Sequence, residues 1–356
     1  MYIIHTDRLK DQVAQGQIPD GEVAAFLKEW FDDRPYVIGH TSGSTGVPKE
    51  IRLYKEDMCA SARMTNTFLG IGPGSVLLLC LSVSYIAGKM MVVRALEAGA
   101  DLWVVKVGSH PLQELQGKEN DRKIDLAAMV PMQVEESLKE EAEKVQMADI
   151  WQLLIGGAPV SCELEQQLQD VSTHCYATYG MTETVSHVAL RELNGDDSYF
   201  ALEGVDFTLD ERGCLLIRAS HLREHNFVTN DLVELQDSTH FKWLGRYDHV
   251  INSGGIKFFP EVIERKISSF FSGRFFISSL PDERLGQQIV LVVEGDLPMT
   301  VDNLLRHFLS VLSAFEMPRL ILQSPCFRET RTGKVIRDTE GAIPVYRYSG
   351  GKMQIL

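Results

Sequence analysis

The chain has 356 residues, and 35 Lys and Arg against 49 Asp and Glu give a formal charge of −14 at pH 7. Its 44% hydrophobic content excludes wholesale disorder, and the length suggests two domains of about 150 residues each. The charge argues against nucleic-acid or anionic-membrane binding, both of which rely on a positive field. The longest apolar run, Val76–Val83, falls far short of the roughly 20 residues of a membrane span. Met1–Arg8 lacks the features of a secretion signal, so a cytoplasmic protein is expected. Six cysteines form no CxxC pair and read as free thiols.

In chain order, an apolar run at Tyr36–Ile38 leads into a Ser/Thr/Gly-rich segment. Val76–Val83 is predicted as a strand, Ile86–Ala98 as a helix and Asp101–Val107 as a strand. Leu126–Glu143 reads as helical with a break at Pro131, and Ile150–Ile155 and His174–Tyr179 as strands that each run into a Gly-bearing turn. This alternation predicts a largely parallel sheet covered by helices, with ligands bound where strand C-termini meet turns. Val205–Leu209 with Cys214–Arg218, and Leu232–Leu235 with Phe241–Leu244, read as hairpins of a small antiparallel sheet. Beyond Asp248 a compact α+β set follows: a helix started by Pro260, strands at Phe275–Ser278 and Gln288–Val293, a helix over Val301–Leu312 and a strand at Leu320–Leu322. The expected fold class is therefore α/β. A large body over 1–246 has parallel-rich sheet layers and a small antiparallel sheet, and a small α+β domain spans 247–356. The charge divides similarly: residues 247–356 hold 13 Lys and Arg against 12 Asp and Glu, leaving the acid in the body.

The segment Thr41-Ser42-Gly43-Ser44-Thr45-Gly46-Val47-Pro48-Lys49 concentrates hydroxyls, glycines and one lysine. Such residues let backbone N–H groups approach phosphate oxygens, and the lysine adds a point charge. It is not a Walker A loop, because Lys49 follows Gly46 by three with proline between. A plain hairpin turn explains the composition as well.

The nonapeptide resembles the phosphate loop of the acyl-adenylate-forming superfamily, which includes acyl-CoA synthetases and adenylation domains. Three further segments resemble that superfamily's motifs in its order: Tyr179-Gly180-Met181-Thr182-Glu183-Thr184; Gly245-Arg246-Tyr247-Asp248 through Gly255, Lys257, Pro260 and Glu264; and Arg331-Thr332-Gly333-Lys334-Val335-Ile336-Arg337. The resemblance implies ATP, Mg²⁺ and coenzyme A as reactants. Thr41, Ser42, Gly43, Ser44, Thr45, Gly46 and Lys49 would hold the β- and γ-phosphates. Tyr179 and Gly180 would wall the adenine, opposite the Gly156-Gly157-Ala158 turn. Thr182 would bond the α-phosphate and Glu183 would coordinate Mg²⁺, a hard cation suited to oxygen ligands. Asp231 would accept from the ribose hydroxyls, although Asn230 stands where the family usually has glycine. Arg246 would contact ribose and phosphate, and Asp248 would be the hinge of a mobile C-terminal domain. Lys334 would reach between the α-phosphate and the attacking carboxylate, positioning the nucleophile and stabilising growing charge. After domain rotation, Gly255 would line the pantetheine tunnel.

The acid pocket is expected to include Tyr85, Lys89, Gly157 and His187. Lys89 and His187 suit an acid with a second, non-reacting carboxylate better than a plain fatty chain. A solvated helix lysine is the plainer reading of Lys89. In these segments the chain looks most similar to the short bacterial o-succinylbenzoate:CoA ligases of menaquinone biosynthesis, which act on a dicarboxylate. Other aryl or medium-chain acids, and loading of a carrier protein, remain the alternatives. No carrier domain follows in the 19 residues after Arg337, which favours free coenzyme A. Full-length relatives carry a longer stretch before the phosphate loop, so a natural minimal form or a homo-oligomer is expected.

Overall fold

A computed structural model describes residues 1–16, 18–19, 21–40, 50–117, 123–271, 273–329 and 335–356. Strands β1 (Tyr2–His5), β2 (Tyr36–His40), β3 (Glu50–Tyr54), β4 (Val76–Leu79), β5 (Asp101–Val104), β6 (Ile124–Met129), β7 (Ile150–Ile155) and β8 (His174–Gly180) alternate with helices α1 (Leu9–Ala14), α2 (Glu22–Trp30), α3 (Lys55–Leu69), α4 (Ile86–Ala98), α5 (Pro131–Lys139), α6 (Glu141–Ala148) and α7 (Cys162–Leu168). Strands β9 (His187–Glu192), β10 (Ser198–Ala201), β11 (Val205–Leu209), β12 (Cys214–Ala219), β13 (Asn226–Leu235) and β14 (His240–Arg246) follow without a helix between them.

All of these except the β2–β3 ribbon join one twelve-stranded sheet, in the order β1-β5-β4-β6-β7-β8-β9-β10-β14-β13-β12-β11. The run from β5 to β8 is parallel, and from β8 onward neighbours are antiparallel. The expected hairpins at 205–218 and 232–244 are present, as the far half of this same sheet. The central parallel strand β4 is buried on both faces, as a helix-covered strand must be, and carries Val76, Leu77, Leu78 and Leu79 with no exposed position.

Helix α4 spans the predicted 86–98. The Leu126–Glu143 expectation fails in its first part: Leu126–Met129 belongs to β6, hydrogen-bonded between β4 and β7. Its Leu-Ala-Ala-Met sequence favours helix, but both faces are buried in the sheet, and tertiary context overrides propensity. Pro131 then opens α5, and Val130 before it is held extended at φ −85, ψ 154. Strands β4 and β5 are also shorter than predicted, ending at Leu79 and Val104, because the chain after each turns toward a helix rather than extending the ladder.

Sheet membership changes between Arg246 and Ile251. Strands β15 (Ile251–Ser253), β16 (Ile256–Phe258), β17 (Phe275–Asp282), β18 (Gly286–Glu294), β19 (Leu320–Ser324), β20 (Ile343–Ser349) and β21 (Lys352–Ile355) form a seven-stranded sheet with helices α8 (Pro260–Ile267) and α9 (Val301–Val311). Its core gathers Ile263, Leu291, Leu304, Phe308 and Ile321. Between β15 and β16, Gly254 and Gly255 both have positive φ (60° and 81°). That is the backbone of a two-residue hairpin turn, a local reason for the glycine pair besides any tunnel. Among the described residues no helix is long and apolar enough to cross a membrane.

Candidate functional site

The turn 181–186 joins β8 to β9, where the large sheet changes from parallel to antiparallel. It is tightly folded. A Cβ on Gly180 would lie 2.4 Å from the Ser186 carbonyl oxygen and 2.7 Å from His187 Cα, so only glycine fits. The Thr184 hydroxyl accepts from the Met181 N–H at 3.0 Å and bridges the carbonyls of Met181 (3.0 Å) and Ser186 (2.8 Å). The Ser186 N–H donates to the Thr184 carbonyl at 2.7 Å, across Val185 at φ 66°. This is a left-handed γ-turn centred on a β-branched residue, a rare and strained conformation. Thr182 is half-buried, while Glu183 is exposed and makes no ion pair among the described residues.

The structure brings Tyr179, Asp231 and Arg246 together. The Tyr179 hydroxyl donates to Asp231 Oδ2 at 2.7 Å, and Trp243 Nε1–H donates to Oδ1 at 3.3 Å. Arg246 Nη1 lies 3.6 Å from Asp231 Oδ1, and its Nε donates to Asp248 Oδ1 at 3.2 Å. Burial pushes the Tyr179 phenol well above its ordinary range, and the Asp231 charge and hydrogen bond add to the shift. Gly156, Gly157 and Ala158 leave the C-terminal end of β7, and Gly157 and Ala158 are exposed. The Thr41–Lys49 segment and Lys334 lie outside the described residues.

The expected acid-pocket residues separate. Tyr85 is 63% exposed at the start of α4. Lys89 is buried and turns toward α2: its Nζ sits 4.6 Å above the Phe26 ring and 3.9 Å from Glu29 Oε2. Burial lowers its pKa, and Glu29 opposes that. His187 is buried on another side, with Nε2 3.0 Å from Thr65 Oγ1 in α3.

Beside His187 lies a residue the sequence reading missed. Arg94, 2% exposed in α4, donates from Nη2 to Ser186 Oγ at 2.7 Å and makes a long 3.6 Å contact from Nη1 to Met91 Sδ. Its Nε has no hydrogen-bond partner and its charge no carboxylate among the described residues. The neighbouring Asn66 donates to the Arg94 carbonyl at 2.9 Å, and its own Oδ1 is also unpartnered. Burial pushes the Arg94 pKa down to about 10, and burial together with the Arg94 charge holds His187 well below its ordinary value. The signal was available: residues 88–95 are apolar apart from Lys89 and Arg94, and a helix apolar all round is a buried helix, so both cations had to be buried.

One divalent ion could be held here by Glu183 with substrate oxygens. Among the described residues no group of three His, Cys, Asp or Glu forms a protein-only cage. A single exposed carboxylate suits Mg²⁺, which commonly takes one or two carboxylates and keeps its other positions for phosphate and water.

The chain is 28% identical over 318 residues to the 2-succinylbenzoate–CoA ligase of Salmonella typhimurium, covering 85% of this chain and 67% of that one. It is 29% identical over 342 residues to a probable 2-succinylbenzoate–CoA ligase of Mycobacterium tuberculosis, covering 90% and 87%. Among solved structures, an acyl-CoA synthetase (AMP-forming)/AMP-acid ligase II-like protein from Dyadobacter fermentans matches with a TM-score of 0.65 and 37% identity, over 94% of this chain and 97% of that one. Residues 4–206 match the AMP-binding enzyme family, and the chain belongs to that family.

Proposed function

We propose that the chain is an ATP-dependent acid:CoA ligase that adenylates a carboxylate and passes the acyl group to coenzyme A, and that its acid is 2-succinylbenzoate. The observation that carries the substrate is Arg94, a buried guanidinium with no carboxylate partner among the described residues. Burying an unmatched cation is costly, so it is most simply understood as a group whose partner arrives with the substrate. 2-Succinylbenzoate brings two carboxylates: the aliphatic one reacts, and the benzoate carboxylate needs a cation. Lys89 is already matched by Glu29, so Arg94 takes that role in this reading, with Ser186 beside it. The names of the Salmonella and Mycobacterium relatives support the same substrate.

Asp231 would receive the ribose hydroxyls, since its two oxygens have lone pairs beyond those used by Tyr179 and Trp243. Tyr179 and the Gly156–Ala158 turn would hold the adenine, Arg246 would meet ribose and phosphate, and Thr182 would bond the α-phosphate. Mg²⁺ on Glu183 would neutralise phosphate charge. The Thr41–Lys49 segment would hold the departing pyrophosphate, and Lys334 would act between nucleophile and α-phosphate. Residues 247–356 would turn about Asp248 between the two half-reactions and present Gly255 to the incoming thiol.

The test is pyrophosphate release across a panel of acids, with and without coenzyme A, followed by mass analysis of the product. The expected result is release and thioester formation with 2-succinylbenzoate well above its monocarboxylate analogue. Pyrophosphate release without thioester would reject the ligase reading, and a monocarboxylate preference would reject the substrate.

A further inference from the structure

The Arg94 guanidinium ends a hydrogen-bonded chain whose direction can be assigned from its far end. The Thr65 hydroxyl donates to the Ser61 carbonyl at 3.1 Å, so its oxygen is left to accept. His187 Nε2, 3.0 Å away, must then carry a proton and donate to it. In a neutral ring this leaves Nδ1 as an acceptor, and the Ser186 hydroxyl lies 3.4 Å from it. With its proton turned toward Nδ1, Ser186 Oγ offers lone pairs to Arg94 Nη2, 2.7 Å away. One order therefore satisfies every member: Arg94 to Ser186, Ser186 to His187, His187 to Thr65, Thr65 to the helix backbone. The reverse tautomer would turn the Nε2 lone pair toward the Thr65 oxygen, whose proton is already given to the Ser61 carbonyl.

The turn carrying Ser186 is held in an unfavourable shape. Val185 sits at φ 66° although it is β-branched, and Thr184 bridges the turn's ends. Strain of this kind persists only where the surroundings over-determine it. Here its effect is to place Ser186 and His187 as the two adjacent middle members of one relay.

We propose that Ser186 and neutral His187 are positioning residues that fix the Arg94 guanidinium in the orientation that receives the second carboxylate of the acid, making this relay the determinant of dicarboxylate specificity. The proposal rests on the assignment of Arg94 to that carboxylate. Ser186 holds the guanidinium at Nη2, and the buried Nε is left without a partner among the described residues. Without the relay the guanidinium keeps its charge but loses its fixed plane, and paired, parallel hydrogen bonds to a carboxylate depend on that plane.

The experiment measures kcat/KM for 2-succinylbenzoate and for 3-benzoylpropionate, the same keto acid without the ring carboxylate, and reads their ratio. Variants are Arg94→Gln, Ser186→Ala, Ser186→Thr, His187→Ala and His187→Gln, with thermal melts of each. Ser186→Ala and His187→Ala are expected to lower the ratio about tenfold, equivalent to about 1.4 kcal/mol of differential binding. Ser186→Thr and His187→Gln, which keep a hydroxyl and a neutral acceptor, should recover most of it. If Arg94→Gln lowers the ratio while Ser186→Ala leaves it at the wild-type value, the relay is overturned and the Arg94 assignment stands. If Arg94→Gln itself leaves the ratio unchanged, the substrate reading fails instead. Should His187→Ala not fold, Ser186→Ala, which removes a single oxygen, decides the matter.

Discussion

The phenol of Tyr179 donates a 2.7 Å hydrogen bond to Asp231, although their strands, β8 and β13, are separated by three others in the sheet. A flat sheet would hold strands four places apart roughly 19 Å from each other, so this one curls strongly on its antiparallel side. The inside of the curl is filled by rings: Tyr179 lies 5.1 Å from Phe241, and Phe241 lies 5.3 Å from Tyr199 and 4.9 Å from Phe207. The aromatic cluster thus sets the distance between the adenine and ribose ends of the proposed nucleotide site. It also makes Asp231 a crowded carboxylate, serving Tyr179, Trp243 and Arg246 before any ligand binds.

Asp231→Asn should raise KM for ATP by about 10- to 100-fold, since each charge-assisted hydrogen bond lost is worth about 1.5–3 kcal/mol. The amide keeps a single acceptor oxygen, which the tyrosine and indole donors already claim. Tyr179→Phe should raise it less, because the carboxylate retains both oxygens and its Trp243 and Arg246 neighbours. Steady-state kinetics with ATP varied at saturating acid measures both. Equal effects of the two substitutions would contradict the ribose role of Asp231.

Arg94→Met should make the free protein more stable while removing its preference for a dicarboxylate. The guanidinium is 2% exposed and has no anion to offset its desolvation among the described residues. Apolar replacement of buried charges is commonly neutral or stabilising by about 1–4 kcal/mol. A rise of a few degrees in Tm is expected in the absence of substrate. Saturating 2-succinylbenzoate should raise the Tm of the wild type more than that of the variant, because only the wild type gains the charge pair. A fall in the unliganded Tm would mean that the bond to Ser186 outweighs the cost of burying the charge.

Much of this was legible in the sequence because it rests on short local signals. Helix α4 is bounded by Ser84-Tyr85 and Gly99, and β7 and β8 are β-rich runs ending at glycines, so their limits could be read directly. Leu126–Met129 could not, since its residues favour helix and only the neighbouring strands β4 and β7 make it a strand. The site divides in the same way. Tyr179 and Asp231 lie in recognisable segments, but their contact depends on the curl of the whole sheet. Lys89 belongs to the stretch expected to line the acid pocket, yet which way each cation on α4 faces depends on what packs there: α2 beside Lys89, the 181–186 turn beside Arg94. Pairwise placement of that kind has no local sequence signature.

His187 gives the protein a specific sensitivity to mild acid. Burial and then the Arg94 charge hold its folded-state pKa well below 6.5, so the unfolded chain takes up a proton that the folded chain refuses. The sign follows: stability is level above about pH 6.5 and falls as pH drops below it, by about 1 kcal/mol per pH unit for this one group. His187→Gln should flatten the profile by that amount. His221, also lowered by burial, contributes equally to both proteins and cancels in the difference. Urea unfolding at pH 7.5, 6.0 and 5.0 measures the two slopes. Parallel slopes would show that His187 takes up its proton alike in the folded and unfolded chain.

Val185 and Val188 are both buried, yet they should respond differently to truncation. Val188, 0% exposed in β9, has an ordinary backbone, so Val188→Ala should cost the loss of packed methyls, about 1–3 kcal/mol. Val185→Ala loses similar contacts but relieves a β-branched residue from φ 66°, where strain costs about 1–3 kcal/mol. The second substitution should therefore be milder by about 1 kcal/mol. Chemical denaturation of the two variants decides it, and equal losses would mean that the γ-turn at Val185 is not strained.

Arg337, three residues after Lys334, is tied to Gly245 and His249 through Glu261. Arg337 Nη1 donates to Glu261 Oε1 at 2.9 Å and its Nη2 pairs with Glu264, while His249 Nδ1 lies 2.5 Å from the same Glu261 oxygen. Glu261 in turn packs on Gly245, where a Cβ would fall 2.3 Å from Oε2. Arg337 and the end of β14 are thereby linked through one carboxylate, and the proposed rotation about Asp248 would break the Glu261–Gly245 contact. Two outcomes are expected. Lys334→Ala should slow adenylate formation by about 10²- to 10³-fold, the usual cost of losing a preorganised group that stabilises transition-state charge. Conversion of supplied acyl-adenylate to thioester should stay close to the wild-type rate, because the proposed domain rotation withdraws the lysine before that step. Single-turnover assays of each half-reaction measure the two effects, and equal losses in both would contradict a lysine that serves only the first.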